Sequence, residues 1–212
     1  MDRRIIACGL MMLATAAAEA AAVTGRVLDA HGKGVPDAVV FVQGPPGQMP
    51  ASGHAAEMDQ VNKTFVPGLL PVVVGTRVTF PNRDQIHHHV YSFSRTKSFE
   101  LPLYKGTDAP PVVFDKPGVV KVACNIHDWM SAIILVLPTT HFAVTDANGS
   151  FTLPGLPAGS YELAAWHERS RLKVEATTQH VTVAARGPEL TFTLPLNPAR
   201  ARPAMHGARK DL

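Results

Sequence analysis

The apolar residues of this chain fall in short, punctuated stretches, the pattern of many strands joined by turns. The pattern is clearest between residues 58 and 138. Thr64-Phe65-Val66 leads into Leu69 to Val74, Gly75-Thr76 reads as a turn, and Arg77-Val78-Thr79-Phe80 alternates polar and apolar. Pro81-Asn82-Arg83-Asp84 breaks that strand, and His89 to Phe93 resumes it. Val112-Val113-Phe114 is followed by the turn Asp115-Lys116-Pro117-Gly118 and then by Val119 to Ala123. Ser131 to Leu137, rich in β-branched residues, closes the series. On either side, residues 23–42 read as two strands around a turn and 142–163 as further strands. The expected fold class is all-β.

Composition adds a leader and a tail to this picture. Arg3 and Arg4, the apolar run Ile5 to Ala18 and the small residues after it mark 1–22 as a secretory signal peptide, with cleavage expected near Ala20 or Ala22. Ile5-Ile6-Ala7-Cys8 has too little apolar sequence before it to serve as a lipoprotein box. The roughly 190 residues that remain suit one large or two small domains. Without the leader no apolar span of membrane length is left, so no membrane span is expected and the mature protein reads as soluble. The formal charge is +3 and the pI about 9.0. Much of the basic excess lies in 198–212, a Pro/Ala/Arg-rich segment that reads as a disordered basic tail. There is no basic stripe with a recognisable motif, which argues against a nucleic-acid role.

The cysteines bring in chemistry. There are two, Cys8 and Cys124, and Cys8 leaves with the leader. A lone thiol exported to an oxidising compartment is a liability unless it is buried or ligating. Cys124 opens C-N-I-H-D-W-M, so His127 follows at +3 and Met130 at +6. Upstream stand His87, His88 and His89. One thiolate, two imidazoles and a distant thioether form the donor set of a mononuclear blue-copper site. Strand alternation puts His88 and Val90 on one face and His87 and His89 on the other, and does not itself choose among the three. His167 opens H-E-R-S-R, which lacks the second histidine of a zinc-protease motif.

Two resemblances follow from longer patterns. The run F-V-P…V-x-x-G-T-x-V-T-F-x-N-x-D…H-H-V, then F-D-x-P-G-x-V-x-V-x-C-x-x-H-x-x-M, resembles the cupredoxins over about 80 residues. Its Cys-x2-His-x2-Met loop is similar to that of amicyanin. The extended form, H-H-V-Y-S-F-S…F-E-L-P-L-Y…C-N-I-H-D-W-M, looks like the plastocyanin-like proteins labelled methylamine utilization proteins. The resemblance implies a Greek-key β-sandwich over 58–138 that holds one mononuclear copper through His88, Cys124, His127 and Met130, with His89 or His87 as alternatives to His88. Ile126 stands where those proteins have Pro, and His89 where they usually have Asn. Asn125, beside the thiolate, is the residue expected to supply a compensating hydrogen bond.

The flanks carry the second resemblance. V-T-G-R-V-L-D-A-H-G-K-G-V-P-D-A-V-V-F-V at 23–42, and F-A-V-T-D-A-N-G-S-F-T-L-P-G-L-P-A-G-S-Y-E-L at 142–163, look like the carboxypeptidase regulatory-like, or transthyretin-like, β-sandwich. The expected organisation is one discontinuous sandwich, 23–50 plus 139–197, with the copper unit inserted in a loop and 44–57 as linker.

No nucleophile elbow, Walker loop or dinucleotide fingerprint is present, so the chain is not expected to be an enzyme. One copper with a weak axial donor leaves no open position for substrate, which favours electron transfer. The expected function is a periplasmic carrier of single electrons between redox partners, such as a c-type cytochrome or a dehydrogenase. Two alternatives use the same residues: a copper delivery or storage protein, and an interaction module whose copper site is structural.

Overall fold

The computed structural model describes residues 20–44 and 53–199. The expected tail past Ala199 and all but the last residues of the expected leader lie outside the described residues. The protein is all-β, as expected, with no α-helix among the described residues. No helix there is long and apolar enough to cross a membrane.

In chain order the strands are β1 (Ala21–Leu28), β2 (Val39–Val42), β3 (Ala55–Glu57), β4 (Asp59–Gln60), β5 (Phe65–Val66), β6 (Leu69–Val73), β7 (Thr76–Thr79), β8 (His88–Phe93) and β9 (Ser98–Tyr104). Then come β10 (Val112–Phe114), β11 (Gly118–Cys124), β12 (Ser131–Leu137), β13 (Phe142–Val144), β14 (Ser150–Leu156), β15 (Gly159–Trp166), β16 (Gln179–Val183) and β17 (Glu189–Thr193). Four sheets carry the architecture, in the orders β14-β1-β17, β13-β2-β15-β16, β6-β12-β11-β8-β9 and β10-β7-β3. Strand β1 begins at Ala21 and pairs Ala21 with Leu156, so the earlier of the two expected cleavage points leaves it whole. The segment expected as linker contributes a strand of its own: β3 pairs parallel to β7.

Three apolar layers hold the sheets. Val23, Val27, Val40, Leu153, Leu163 and Phe192 belong to a core whose residues come from β14-β1-β17 and β13-β2-β15-β16. Phe65, Val78, Phe114, Val120, Val122 and Ile134 belong to a second, whose residues come from the sheets β6-β12-β11-β8-β9 and β10-β7-β3 and from the short β4-β5 pair. Val39, Phe41, Ala164, Leu135 and Leu137 form a third, which joins the β2–β15 face to β12. Strands β2 and β12 therefore face apolar neighbours on both sides. That explains their unbroken apolar sequences, Val-Val-Phe-Val and Ala-Ile-Ile-Leu-Val-Leu, where a half-exposed strand would alternate. Each fully buried Val, Leu, Ile or Phe side chain stabilises the fold by about 1.5–3 kcal/mol.

The segments before and after 55–137 meet through matched turns. Asp29 Oδ1 accepts the N–H groups of His31 and Lys33 (2.8 and 2.9 Å), and Asp146 Oδ1 accepts those of Asn148 and Ser150 (both 2.8 Å). Thr145 Oγ1, buried, donates to Val35 O and accepts from the Ala38 N–H. Gly149, at φ +76°, lies so close to the first turn that a Cβ there would meet Val27 O at 2.3 Å and Gly34 Cα at 2.8 Å. At the other boundary of the 55–137 segment, Gly44 lies beside Pro138 O.

Gly149→Ala should therefore be far more damaging than Gly32→Ala, whose φ is also positive (+78°) but whose Cβ would meet nothing within 4 Å. The Gly32 change carries only the left-handed backbone cost of about 1–2 kcal/mol. The Gly149 change adds about 1–3 kcal/mol of overpacking. Denaturant midpoints of the two variants measure the difference, and equal losses would show that the turns do not press on one another.

Candidate metal centre

The site forms where two strands end. Strand β11 pairs antiparallel to β8, setting Ala123 opposite Tyr91 and Cys124 opposite Val90. That register brings the first residue of β8, His88, to the last residue of β11, Cys124, although 36 positions separate them. The loop 125–130 then turns back into β12. Its base is closed by the Cys124 N–H donating to Met130 O (3.0 Å), the Met130 N–H to His127 O (2.9 Å) and the Asn125 N–H to His89 O (3.1 Å). Backbone hydrogen bonds thus fix the loop, which has Ile and not Pro at 126.

His88 Nδ1 lies 3.7 Å from Cys124 Sγ, and His127 Nδ1 lies 3.6 Å from it. One donor atom from each of these three residues falls within 4.8 Å of the others, and among the described residues no other His, Cys or carboxylate cluster does so. Cys124 is buried and His88 completely so, while His127 keeps partial exposure. Met130 is 1% exposed and belongs to the same apolar core as Cys124. Metal–ligand bonds of about 2.0–2.3 Å, at angles between tetrahedral and trigonal, separate nitrogen from sulfur donors by about 3.5–3.8 Å. The donors present fit one soft metal ion on that measure.

The three neighbouring histidines differ in placement. His88 shares its strand face with buried Val90. His89 faces the other way, its Nε2 2.8 Å from Glu100 Oε1 and its ring against Tyr91. His87 precedes the strand and is exposed. The Asn125 side chain is exposed, and the recorded sulfur contacts of Cys124 are those with His88 and His127, so the expected Asn125–thiolate hydrogen bond is not made. A short Asn side chain that follows a strand's last inward residue points out of the core, which is why the position could not serve.

Other polar groups escape a reading of spacing alone. Asn82 is buried: its Nδ2 donates to Ile86 O and Tyr104 O, and its Oδ1 accepts from the Asp84 N–H. It folds 82–88 into the approach to His88. Asp84 Oδ2 lies 2.9 Å from His88 Nε2. Burial alone would raise the Asp84 carboxyl, but donation from the Lys63 N–H, from His88 and from the Asn62 N–H outweighs it and holds the group below its ordinary value. In the sequence these two residues show as a polar Pro-Asn-Arg-Asp break that reads as a turn, and as the N-x-D of the cupredoxin-like pattern, neither of which states their hydrogen-bond roles. Tyr104, paired opposite His88, is pushed up to about 12 by burial, with the nearby Cys124 adding to the shift. His127 is held below the ordinary imidazole value by burial first, then by His88 and Lys63.

The His127 side of the site opens on a groove of about 670 Å³ lined by Lys63, Ile86, His87, Leu103, Ile126 and His127. Leu103, Ile126 and Trp129 are 57, 48 and 42% exposed, high values for side chains of this size. The Trp129 ring lies 5.4 Å from that of His127, tilted at 53° to it.

No protein-family model and no curated protein sequence matches the chain. Among solved structures, a purple cupredoxin from Nitrosopumilus maritimus is similar at 28% identity over 38% of this chain and 98% of its own, with a TM-score of 0.35. The Cu(I) form of an amicyanin variant, M51A, is similar at 22% identity over 47% of this chain and 98% of its own, with a TM-score of 0.37. A copper-containing nitrite reductase from Thermus scotoductus is similar at 24% identity over 45% of this chain and 25% of its own, with a TM-score of 0.39.

Proposed function

We propose that this chain is a periplasmic mononuclear blue-copper protein that carries single electrons between redox partners. The observation that carries the reading is the convergence of His88, Cys124 and His127, with Met130 buried in the same core. His88, Cys124 and His127 would hold the ion, with Met130 as a weaker fourth donor. Bound copper supplies a reversible one-electron change between Cu(II) and Cu(I), and soft sulfur with imidazole suits both states. The protein's part is to keep the donors fixed. Strands β8 and β11 and the closed loop hold them, and burial of His88 and Cys124 keeps solvent from the thiolate. The chain is read as a carrier and not an enzyme, because four protein donors leave no position for a substrate.

The organisation is read as a cupredoxin unit, 58–138, inserted into a carboxypeptidase regulatory-like sandwich made from 23–50 and 139–197. Supporting it, β1 and β2 are interior strands of the two sheets that β13–β17 complete, and Gly44 and Pro138 lie side by side where the insertion would leave and rejoin. The groove beside His127 is read as the docking face for a periplasmic redox protein such as a c-type cytochrome or dehydrogenase. An apolar, shallow surface suits a brief encounter with fast release.

Titration with Cu(II) should give one bound ion per chain and the intense visible band of a Cu(II)–thiolate bond. Cys124→Ser and His88→Ala should abolish that band, whereas His87→Ala and His89→Ala should retain it. A colourless wild-type complex would refute the blue-copper reading, and bleaching by His89→Ala but not His88→Ala would shift the ligand by one residue.

Met130→Leu should keep the colour and raise the reduction potential, because the oxidised state loses a donor on which it depends more. Voltammetry of the two proteins checks the sign. Ile126→Glu or Trp129→Glu should slow electron transfer to the partner by about tenfold, equivalent to roughly 1.4 kcal/mol of docking free energy, with the copper spectrum nearly unchanged. Stopped-flow transfer to a c-type cytochrome measures this, and unchanged rates in both variants would place docking elsewhere.

A further inference from the structure

His88 has no freedom to choose which of its nitrogens faces the site, and the reason lies in a group outside the donor set. The ring is completely buried, with Nδ1 toward Cys124 Sγ and Nε2 2.9 Å from Asp84 Oδ2. The Asp84 carboxylate is itself anchored. Oδ1 accepts the Asn62 N–H at 2.6 Å and Oδ2 the Lys63 N–H at 2.7 Å. Asn62 and Lys63 are consecutive non-glycine residues at positive φ (53° and 57°), a conformation that turns both N–H groups to one side. The Asp84 N–H is held in turn by Asn82 Oδ1 at 3.0 Å. Three donors therefore converge on one carboxylate.

We propose that Asp84 is a positioning residue of the metal centre, which fixes the His88 ring and its tautomer by clamping it to the Asn62–Lys63 turn. The inference deepens the copper reading and rests on it for the role of the metal. A carboxylate only accepts hydrogen bonds, so a neutral His88 facing it must carry its proton on Nε2. That leaves the Nδ1 lone pair free toward Cys124, the state a ligating imidazole requires. The clamp also joins the two sides of the centre, because the Lys63 side chain lines the groove beside His127.

A carboxamide cannot substitute. In Asp84→Asn a single acceptor oxygen faces three donors. If the oxygen takes the Oδ1 place it serves Asn62, and the amide NH2 turns to the Lys63 N–H and to His88, where it forces the ring proton onto Nδ1 and blocks ligation. If the oxygen takes the Oδ2 place it serves Lys63 and His88, and the NH2 opposes the Asn62 N–H and releases that end of the turn.

The test uses the full-length mature protein. Nitrogen-15 NMR of the metal-free wild type at neutral pH should show His88 protonated on Nε2 alone, and Cu(I) affinity should be measured against a chromophoric chelator. Asp84→Asn should weaken Cu(I) binding by about 10–100-fold and either move the His88 proton to Nδ1 or displace the Asn62 and Lys63 amide resonances. Arg83→Ala, which removes the neighbouring exposed pairs with Glu57 and Asp59, should change neither readout. Wild-type Cu(I) affinity with unchanged His88, Asn62 and Lys63 signals in Asp84→Asn would overturn the proposal. If that variant does not fold, the wild-type spectrum decides: a proton on Nδ1 overturns the clamp, and an Nε2 proton slow to exchange with water supports it. A wild type that binds no Cu(I) would defeat the copper reading alone, since the metal-free spectra still decide the clamp.

Discussion

The pairing of β11 with β8 is the constraint on which the site depends. Only two residue pairs span the strands there, Ala123 with Tyr91 and Cys124 with Val90. They are enough to place an imidazole and a thiol at adjoining strand ends, on the inward face of a sheet. A slip of one residue would turn Cys124 outward and bring His89 inward. The same register lets the Asn125 N–H reach His89 O, which starts the return loop at a fixed angle. His127 then approaches the sulfur from the solvent side while His88 approaches it from within, and the two rings stand edge to face at 5.0 Å.

The wider architecture gives that register its rigidity. Sheet β6-β12-β11-β8-β9 is covered on one face by the core of Phe65, Phe114 and Ile134, and along β12 on the other by Val39, Phe41 and Ala164. Strand β12, next to β11, is thus gripped from both sides, and a shift of β11 would have to move it. Toward β8 this second cover gives out, and the polar and aromatic side chains His89, Tyr91 and Phe93 take over that face. The second pair of sheets therefore supports the sheet that carries His88 and Cys124 from the β12 side.

Electrostatics at the centre are asymmetric. Inside, His88 meets a carboxylate that is anchored by backbone N–H groups and kept charged. Outside, His127 meets Trp129, and burial first, then His88 and Lys63, hold its ring below the ordinary imidazole value. The two imidazoles are thus set by different physical terms, a hydrogen-bond acceptor that orients the His88 ring and desolvation that lowers His127.

The sequence by itself determined the all-β class, the strands from Phe65 to Val73 and from Val119 to Leu137, and the grouping of Cys124, His127 and Met130 in one loop. These are local properties: alternation, turn residues and donors within seven positions reveal themselves without knowledge of the fold. Strand alternation also put His88 with Val90 and away from His89, yet it could not say which face would be inward. That was decided by the β8–β11 register, a contact across 36 residues. Strand β9 went unread because Glu100, Pro102 and Tyr104 mix polar and proline positions along an edge strand, where one side has no partner to enforce a pattern. Asp84 and Asn82 read as a turn, and in local terms they are one. Their work depends on the Asn62–Lys63 N–H groups and on Tyr104 O, brought from some twenty residues away in either direction, and hydrogen bonds between such distant segments leave no periodic trace in a chain.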